Sequence, residues 1–403
     1  MTPPRPPARP RTRRVIGAEQ VAEARRRQRN RLEVLPGDIV TAEARDQAER
    51  LGIALLDGPL ERPQPVATDG ATALRRGLWR RAPRWIAPRT PPAPNPRRLG
   101  RIAFVGAGGV GSHAAHLCAL ADMAEDLVLI DITPGLAEAM ALDINHAAGI
   151  TRARCRARGG TRLALVEGAE VVLVTAGRAR APGMTRADLI EVNRRVIEAT
   201  AAAIAAHAPQ AVVIVVTNPL DEMTHHMLRA TGFARRQVLG MAGTLDSARF
   251  RHALARAAGV DPGDVEALTL GSHGEEMAPI PSASTIRGRP LDVFLSPGQI
   301  AACVRDAVTG GGQVVALKRT GSAVIAPAHA SVQVIDHLRG ARVGPVPVSV
   351  RLEGEYGLRD VVLGVPCHLG AGGLVEVADI PLTDPERAAL HAAAAAIRQR
   401  LAG

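Results

Sequence analysis

His273 sits in the glycine-flanked turn GSHGEEM, Asp246 and Arg249 lie three apart in TLDSARF, and Arg180 and Arg186 lie six apart in GRARAPGMTRADL. A histidine titrates near neutrality and can pass a proton in either direction. A guanidinium is a planar fork that matches a carboxylate, where lysine would be only a point charge. Gly177, Pro182 and Gly183 make the segment with Arg180 and Arg186 a mobile loop. Closing such a loop over a polar substrate expels water and completes a site in one movement. Asn218 stands in Thr217-Asn218-Pro219, directly after the apolar run Ala211 to Val216, at the strand end where open parallel sheets bind ligands. Taken singly, each has a plain structural reading as surface charge or a core histidine. As a constellation they point to proton transfer beside a bound carboxylate.

The elements that must position them are organised around residues 101 to 131, RIAFVGAGGVGSHAAHLCALADMAEDLVLID. Arg101 to Val105 reads as a short apolar strand, and Gly106, Gly108 and Gly111 give the spacing G-x-G-x-x-G. The first glycine allows a tight turn, the second a close approach to a pyrophosphate, and the third close packing of helix on strand. A helix from about Gly109 to Ala121 would aim its free N–H groups at the phosphates. Asp131, twenty residues beyond Gly111, ends the next strand. There its carboxylate would accept the ribose hydroxyls of NAD and repel the extra phosphate of NADP. Further on, Glu170 to Ala176 reads as a buried strand, Leu189 to His207 as a helix, and Ala267 to Leu270 as the strand before His273. Arg152 to Arg158 reads as a solvated face or loop. Ser296-Pro297 starts a helix that Gly310 to Gly312 break, and Ala326 to Leu338 form another. Residues 346 to 378 read as an antiparallel meander, and Thr383 to Leu401 as a closing helix whose Ala-rich face packs on a second subunit or on its own core.

The charge is unevenly placed. The chain carries a net +11, yet residues 1 to 98 hold 21 arginines and 10 acids, leaving residues 99 to 403 with 29 basic and 29 acidic residues. Basicity that belongs to a leader argues against a nucleic-acid surface on the body. Cys118, Cys155, Cys303 and Cys367 include no C-x-x-C pair, which suits a reducing cytoplasm better than a disulfide framework or a metal site. No apolar run approaches the length of a membrane span, and the first fourteen residues lack the apolar core of a signal peptide.

Residues 1 to 14 are a basic Pro/Arg tail expected to be disordered, and residues 58 to 98 a Pro/Arg-rich linker containing both tryptophans, Trp79 and Trp85. Between them residues 15 to 57 read as a small module of two helices and short strands, with Thr41 capping the second helix. Its wording, VIGAEQVAEA and LEVLPGDIVTAEARDQAERLGIAL, resembles an amino-terminal module of microcompartment-associated bacterial enzymes, among them ethanolamine-utilisation cobalamin adenosyltransferases. That resemblance implies a protein partner or a microcompartment for residues 15 to 98.

From about Arg101 to the C-terminus, GAGGVG, TAGRARAPGMTRADL, VTNPLD, GTLDSARFR, GSHGEEMAPIP, LKRTGSA and LEGEYGLRDVVLGVP resemble, in order and spacing, the NAD-dependent lactate and malate dehydrogenases. They are most similar to the lactate-dehydrogenase-like malate dehydrogenases of bacteria. The resemblance implies an α/β fold in which a Rossmann doubly wound parallel sheet, residues 99 to 244, precedes an α+β catalytic domain with antiparallel strands, residues 245 to 403. It implies His273 as proton donor and acceptor, Asp246 as the group that holds its tautomer, and Arg249 as the grip on the substrate's C1 carboxylate. Arg186 would polarise the reacting carbonyl, and Asn218 would touch substrate and nicotinamide. Arg180 would meet the second carboxylate of a dicarboxylate, where lactate enzymes place an uncharged residue. Losing that ion pair in a dry loop costs about 10²-fold in specificity. The expectation is a cytoplasmic homodimer or homotetramer that interconverts (S)-malate and oxaloacetate. The alternatives are a lactate-type or other 2-hydroxy-acid dehydrogenase serving a microcompartment, and a non-catalytic scaffold. The wording departs from the family's in three places: Gly109 replaces the usual Asn, GSHGEEM replaces GGHGDTM, and Ser322 to Ile325 lack an aromatic.

Overall fold

The computed structural model describes residues 14–26, 31–34, 38–57, 96–178, 186–274, 276–319 and 321–402. They fall into two compact units divided between Thr68 and Asp69. The basic tail to residue 13, residues 58–95 with both tryptophans, and residues 179–185 with Arg180 lie outside the described residues.

The first unit is a β-α-β fold written twice: β1 (Val15–Ile16), α1 (Ala18–Arg26), β2 (Arg31–Val34), then β3 (Ile39–Val40), α2 (Ala42–Leu51), β4 (Ala54–Asp57). β1 pairs in parallel with β3 and β2 in parallel with β4, so the halves interlock. Val21, Ala24, Ala44, Ala48 and Ile53 fill the small core between the two helices. Thr41 caps α2 by accepting from the Ala44 amide at 3.2 Å, and Gly52 ends it in the left-handed region.

The second unit is built on one sheet. β5 (Leu99–Val105), β6 (Ala124–Ile130), β7 (Arg156–Gly160), β8 (Val171–Val174), β9 (Val212–Val215) and β10 (Val238–Gly240) run parallel in the order β7-β6-β5-β8-β9-β10. Numbered within the unit, that is the doubly wound order 3-2-1-4-5-6. Alternate residues of β5 serve opposite faces. Ile102 and Phe104 pack with α3 (Gly109–Leu120) and α4 (Leu136–Thr151), whereas Ala103 and Val105 pack with α5 (Arg186–His207) and α6 (Leu220–Thr231). A strand covered on both faces must be apolar throughout, which is why these strands read as unbroken apolar runs.

Beyond β10 and α7 (Gly243–Ala258) the sheet continues without a seam. β11 (Val265–Glu266) pairs outside it with β14 (Thr285–Ile286), which pairs with β15 (Arg289–Pro290). β12 (Thr269–Gly271) and β13 (Met277–Pro279) form a hairpin, followed by α8 (Pro297–Lys318) and α9 (Ile325–Leu338). β16 (Val346–Glu353) joins β10 antiparallel, β17 (Arg359–Gly370) joins β16, and β18 (Gly373–Val377) pairs with β17. α10 (Asp384–Ala402) closes the fold by burying Leu390, Ala393, Ala394 and Ile397 in the same core. Its Ala-rich face therefore packs on its own chain.

Three sequence expectations need correction. Gly310 to Gly312 do not break a helix, since α8 runs through them. The helix tolerates each glycine at about 1 kcal/mol, and Gly310 and Gly311 provide close approach of Arg249, whose guanidinium lies 3.2 Å from where a Cβ on Gly311 would stand. Arg152 to Arg158 are a solvated face but not only a loop: their arginines are exposed as expected, Arg156 opens the edge strand β7, and Arg154 and Arg156 pair with Asp122 and Asp126 at 2.8 and 3.2 Å. Arg97 and Arg98 do not belong to a linker. The Arg97 amide donates to the Arg339 carbonyl at 2.9 Å, its side chain pairs with Glu170, and Arg98 pairs with Asp122 at 3.0 Å. Among the described residues no helix is long and apolar enough to cross a membrane.

Candidate active site

The carboxyl ends of β8, β9 and β10 open on one cavity of about 610 Å³. β8 leads into Thr175, Gly177 and Arg178 and β9 into Val216, Thr217 and Asn218, all lining the cavity, while β5 leads into the glycine turn and the first turn of α3, from which Val110 lines it. Gly106 takes φ +106°, and a Cβ there would stand 2.6 Å from Thr175 Oγ1. A Cβ on Gly111 would stand 1.9 Å from the Gly106 carbonyl oxygen, so only glycine lets α3 sit this close to its strand. Nothing stands within 4 Å of a Cβ built on Gly108. The middle glycine is therefore open for a ligand's close approach, with the free amides of the first turn of α3 behind it. Asp131 directly follows β6, with one oxygen accepting from the Ala107 amide at 2.9 Å and the other from the Thr133 amide at 3.0 Å. Each oxygen keeps a second lone pair for a ribose hydroxyl. Turn, helix end and carboxylate together fit a dinucleotide.

His273 lies in the hairpin turn between β12 and β13, whose register pairs Gly271 with Met277. Its Nδ1 is 2.8 Å from Asp246 Oδ2, and Asp246 is 2 % exposed. The other oxygen of Asp246 accepts from Arg249 Nη1 at 3.0 Å. One helix, α7, thus supplies a carboxylate that touches both the histidine and the arginine, as the three-residue spacing of Asp246 and Arg249 requires. Burial by itself lowers the pKa of His273. The Asp246 charge and its hydrogen bond outweigh that, so the net shift is upward from the ordinary value. With Nδ1 held by Asp246, Nε2 is the ring nitrogen left for proton exchange. Arg249, Asn218 and His273 all border the cavity. Arg186 opens α5 with its side chain outside the described residues, and Arg180 lies outside them altogether, two residues beyond Arg178 on the cavity wall.

Sequence reasoning missed the residues that hold this site from behind. Asp221, in the first turn of α6, is 1 % exposed. It accepts from the His273 amide at 2.8 Å, from Ser272 Oγ at 3.0 Å and from Ser349 Oγ at 2.7 Å. Burial and the neighbouring Glu222 push its pKa up to about 6. Asn193, wholly buried, accepts from the Arg178 amide at 2.7 Å and donates to the carbonyls of Arg178 and Asn218 at 3.1 and 2.6 Å. It thereby fixes the start of the arginine loop beside the Asn218 turn. The acid in VTNPLD was a visible signal, but nothing local marks Asn193 as more than a helix residue.

The lactate/malate dehydrogenase NAD binding domain matches residues 100–240, and the lactate/malate dehydrogenase alpha/beta C-terminal domain matches residues 243–402. The chain belongs to the lactate/malate dehydrogenase family. A malate dehydrogenase of Nostoc punctiforme is 41% identical over 312 residues, which are 77% of this chain and 95% of that protein. Among solved structures, the malate dehydrogenase of Cryptosporidium parvum aligns with a TM-score of 0.73 at 34% identity, covering 75% of this chain and 98% of that one. The lactate dehydrogenase of the same organism, solved with lactic acid and nicotinamide adenine dinucleotide, aligns with a TM-score of 0.73 at 31% identity over 76% and 98% of the two chains. As a family member the chain is an NAD-dependent dehydrogenase, and its open glycine turn and Asp131 suit that cofactor. Both expected layers of the fold, parallel and antiparallel, are present.

Proposed function

We propose that this chain interconverts malate and oxaloacetate with NAD, using His273 as acid and base. The observation that carries the chemistry is the chain of contacts from Arg249 through Asp246 to His273 beside the cavity at the ends of β8 and β9. Curated relatives named malate dehydrogenase, 41% identical over most of the body, support the same reading. The cofactor, when bound, supplies or takes the hydride. His273 Nε2 gives a proton to the carbonyl oxygen of the keto acid, or takes it from the hydroxyl in the reverse direction, while Asp246 stabilises the imidazolium. Arg249 binds the C1 carboxylate with its planar fork. Asn218 orients the substrate against the nicotinamide, and Gly106, Gly108, Gly111 and Asp131 hold the dinucleotide.

Arg186 polarises the reacting carbonyl and Arg180 selects for the second carboxylate, a reading supported by Arg178, two residues before Arg180, lining the cavity. The test is NADH oxidation by the full-length protein with oxaloacetate and with pyruvate at one pH. A preference for oxaloacetate of about 10²-fold or more is expected, and Arg180→Gln should shift it toward pyruvate. An unchanged ratio of kcat/KM would remove Arg180 from substrate selection, and turnover of neither acid would overturn the activity.

A further inference from the structure

The C-terminal helix reaches the catalytic turn with one partly buried charge. Arg400, in the last turn of α10, pairs through Nε with Glu222, which is 1 % exposed, and through Nη1 with Glu276 Oε1 at 2.9 Å. Its Nη2 donates to Ser272 Oγ at 3.2 Å. Ser272 and Glu276 are the first and last residues of the five-residue turn between β12 and β13, and His273 lies between them. Ser272 also donates to Asp221 Oδ2, the same oxygen that receives the His273 amide. A single guanidinium therefore grips both shoulders of the turn, and through Ser272 it touches the carboxylate that fixes the His273 backbone. Of the two shoulders, Ser272 stands where the resembled wording has glycine and Glu276 where it has threonine.

We infer that Arg400 is a positioning residue for His273, with the C-terminal helix acting as a clamp on the catalytic turn. Its planar fork suits the task, because three partners in different directions need several donors in fixed relation. The charges facing the turn are Asp221 and Glu222 from α6, Asp246 and Arg249 from α7, and Arg400 from α10. Removing Arg400 frees the turn to drift, and the ring then leaves its 2.8 Å contact with Asp246. A displacement of about 1 Å at a reacting group costs up to about 10²-fold in rate. The clamp rests on the role assigned to His273 above.

Arg400→Met alone leaves Glu222 buried without its cation and can unfold the protein. The informative variant is Arg400→Met with Glu222→Gln, which removes the pair together. We expect kcat for oxaloacetate reduction to fall about tenfold or more, with KM for NADH unchanged. The upper pH limb of kcat/KM should move to lower pH, because a ring away from Asp246 loses what raises its pKa. A kcat within about twofold of the parent and an unmoved limb would overturn the clamp. If the double variant does not fold, Glu276→Gln and Ser272→Ala carry the same test on the turn itself, with Arg400 and Glu222 still paired. His273→Gln separates the clamp from the reading beneath it. Should that variant keep parental kcat, His273 is not the acid and base, and the role assigned to it fails before the clamp does.

Discussion

Asp246 serves two cations with two oxygens, and its effect is legible in pH. Its charge raises the pKa of His273 against the opposing effect of burial. Reduction of the keto acid needs the protonated ring, so kcat/KM for oxaloacetate should hold at low pH and fall as pH rises through the raised folded value. Oxidation of malate needs the neutral ring and should rise over the same range. Asp246→Asn removes the charge and keeps the shape. We expect kcat to fall about 10²-fold or more and the reductive limb to move down in pH, read from kcat/KM profiles in both directions. A limb that stays in place would mean that another group titrates there. Gly311 offers a second residue-scale test. Gly311→Ala gains up to about 1 kcal/mol of helix stability, yet its Cβ would stand 3.2 and 3.3 Å from the two Nη atoms of Arg249. Oxaloacetate KM should rise about threefold to tenfold, on the order of 1 kcal/mol, with Tm unchanged or higher and NADH KM unchanged. An unmoved oxaloacetate KM would separate Arg249 from substrate binding.

At the scale of elements, what the sequence revealed was whatever repeats locally. The glycine turn, the apolar runs of β5, β8 and β9, the Thr41 cap and the spacing of Asp246 and Arg249 are all short-range patterns, and the structure has each of them. Local reasoning failed where a residue answers to a distant partner. Gly310 to Gly312 look like helix breakers until Arg249, some sixty residues earlier on α7, is seen lying against Gly310 and Gly311. The serine and glutamate of GSHGEEM look like plain departures until Arg400 is placed on both. Asp221 shows the same limit from the other side: an acid in the first turn of a helix usually answers to the helix dipole. Here it is buried under three donors that come from the β12–β13 turn and β16. The site is thus a local motif set within a long-range polar frame.

For the molecule as a whole, the open question is what the leader contributes to turnover. Residues 99 to 403 are electrically balanced, while the excess of arginine lies before them. Family matching begins at residue 100, and 312 residues of this chain cover 95% of the Nostoc punctiforme malate dehydrogenase, so a related fold is complete without a leader. The groups described as holding His273, namely Asp221, Asp246 and through it Arg249, all lie in the second unit. The place of the cut matters, however. Arg97 and Arg98 are tied to Glu170, Arg339 and Asp122 of the body, so a truncation belongs before Pro96. A protein of residues 96–403 should keep kcat/KM for oxaloacetate within about twofold. One that begins at residue 99 loses two partly exposed ion pairs worth up to about 1 kcal/mol each, and its Tm should fall by a few degrees while kcat is kept. Steady-state kinetics and thermal unfolding on the two truncations decide the matter. A folded, soluble 96–403 protein with kcat reduced more than about tenfold would mean that the leader reaches the active site, and its partner would then have to be sought within this chain.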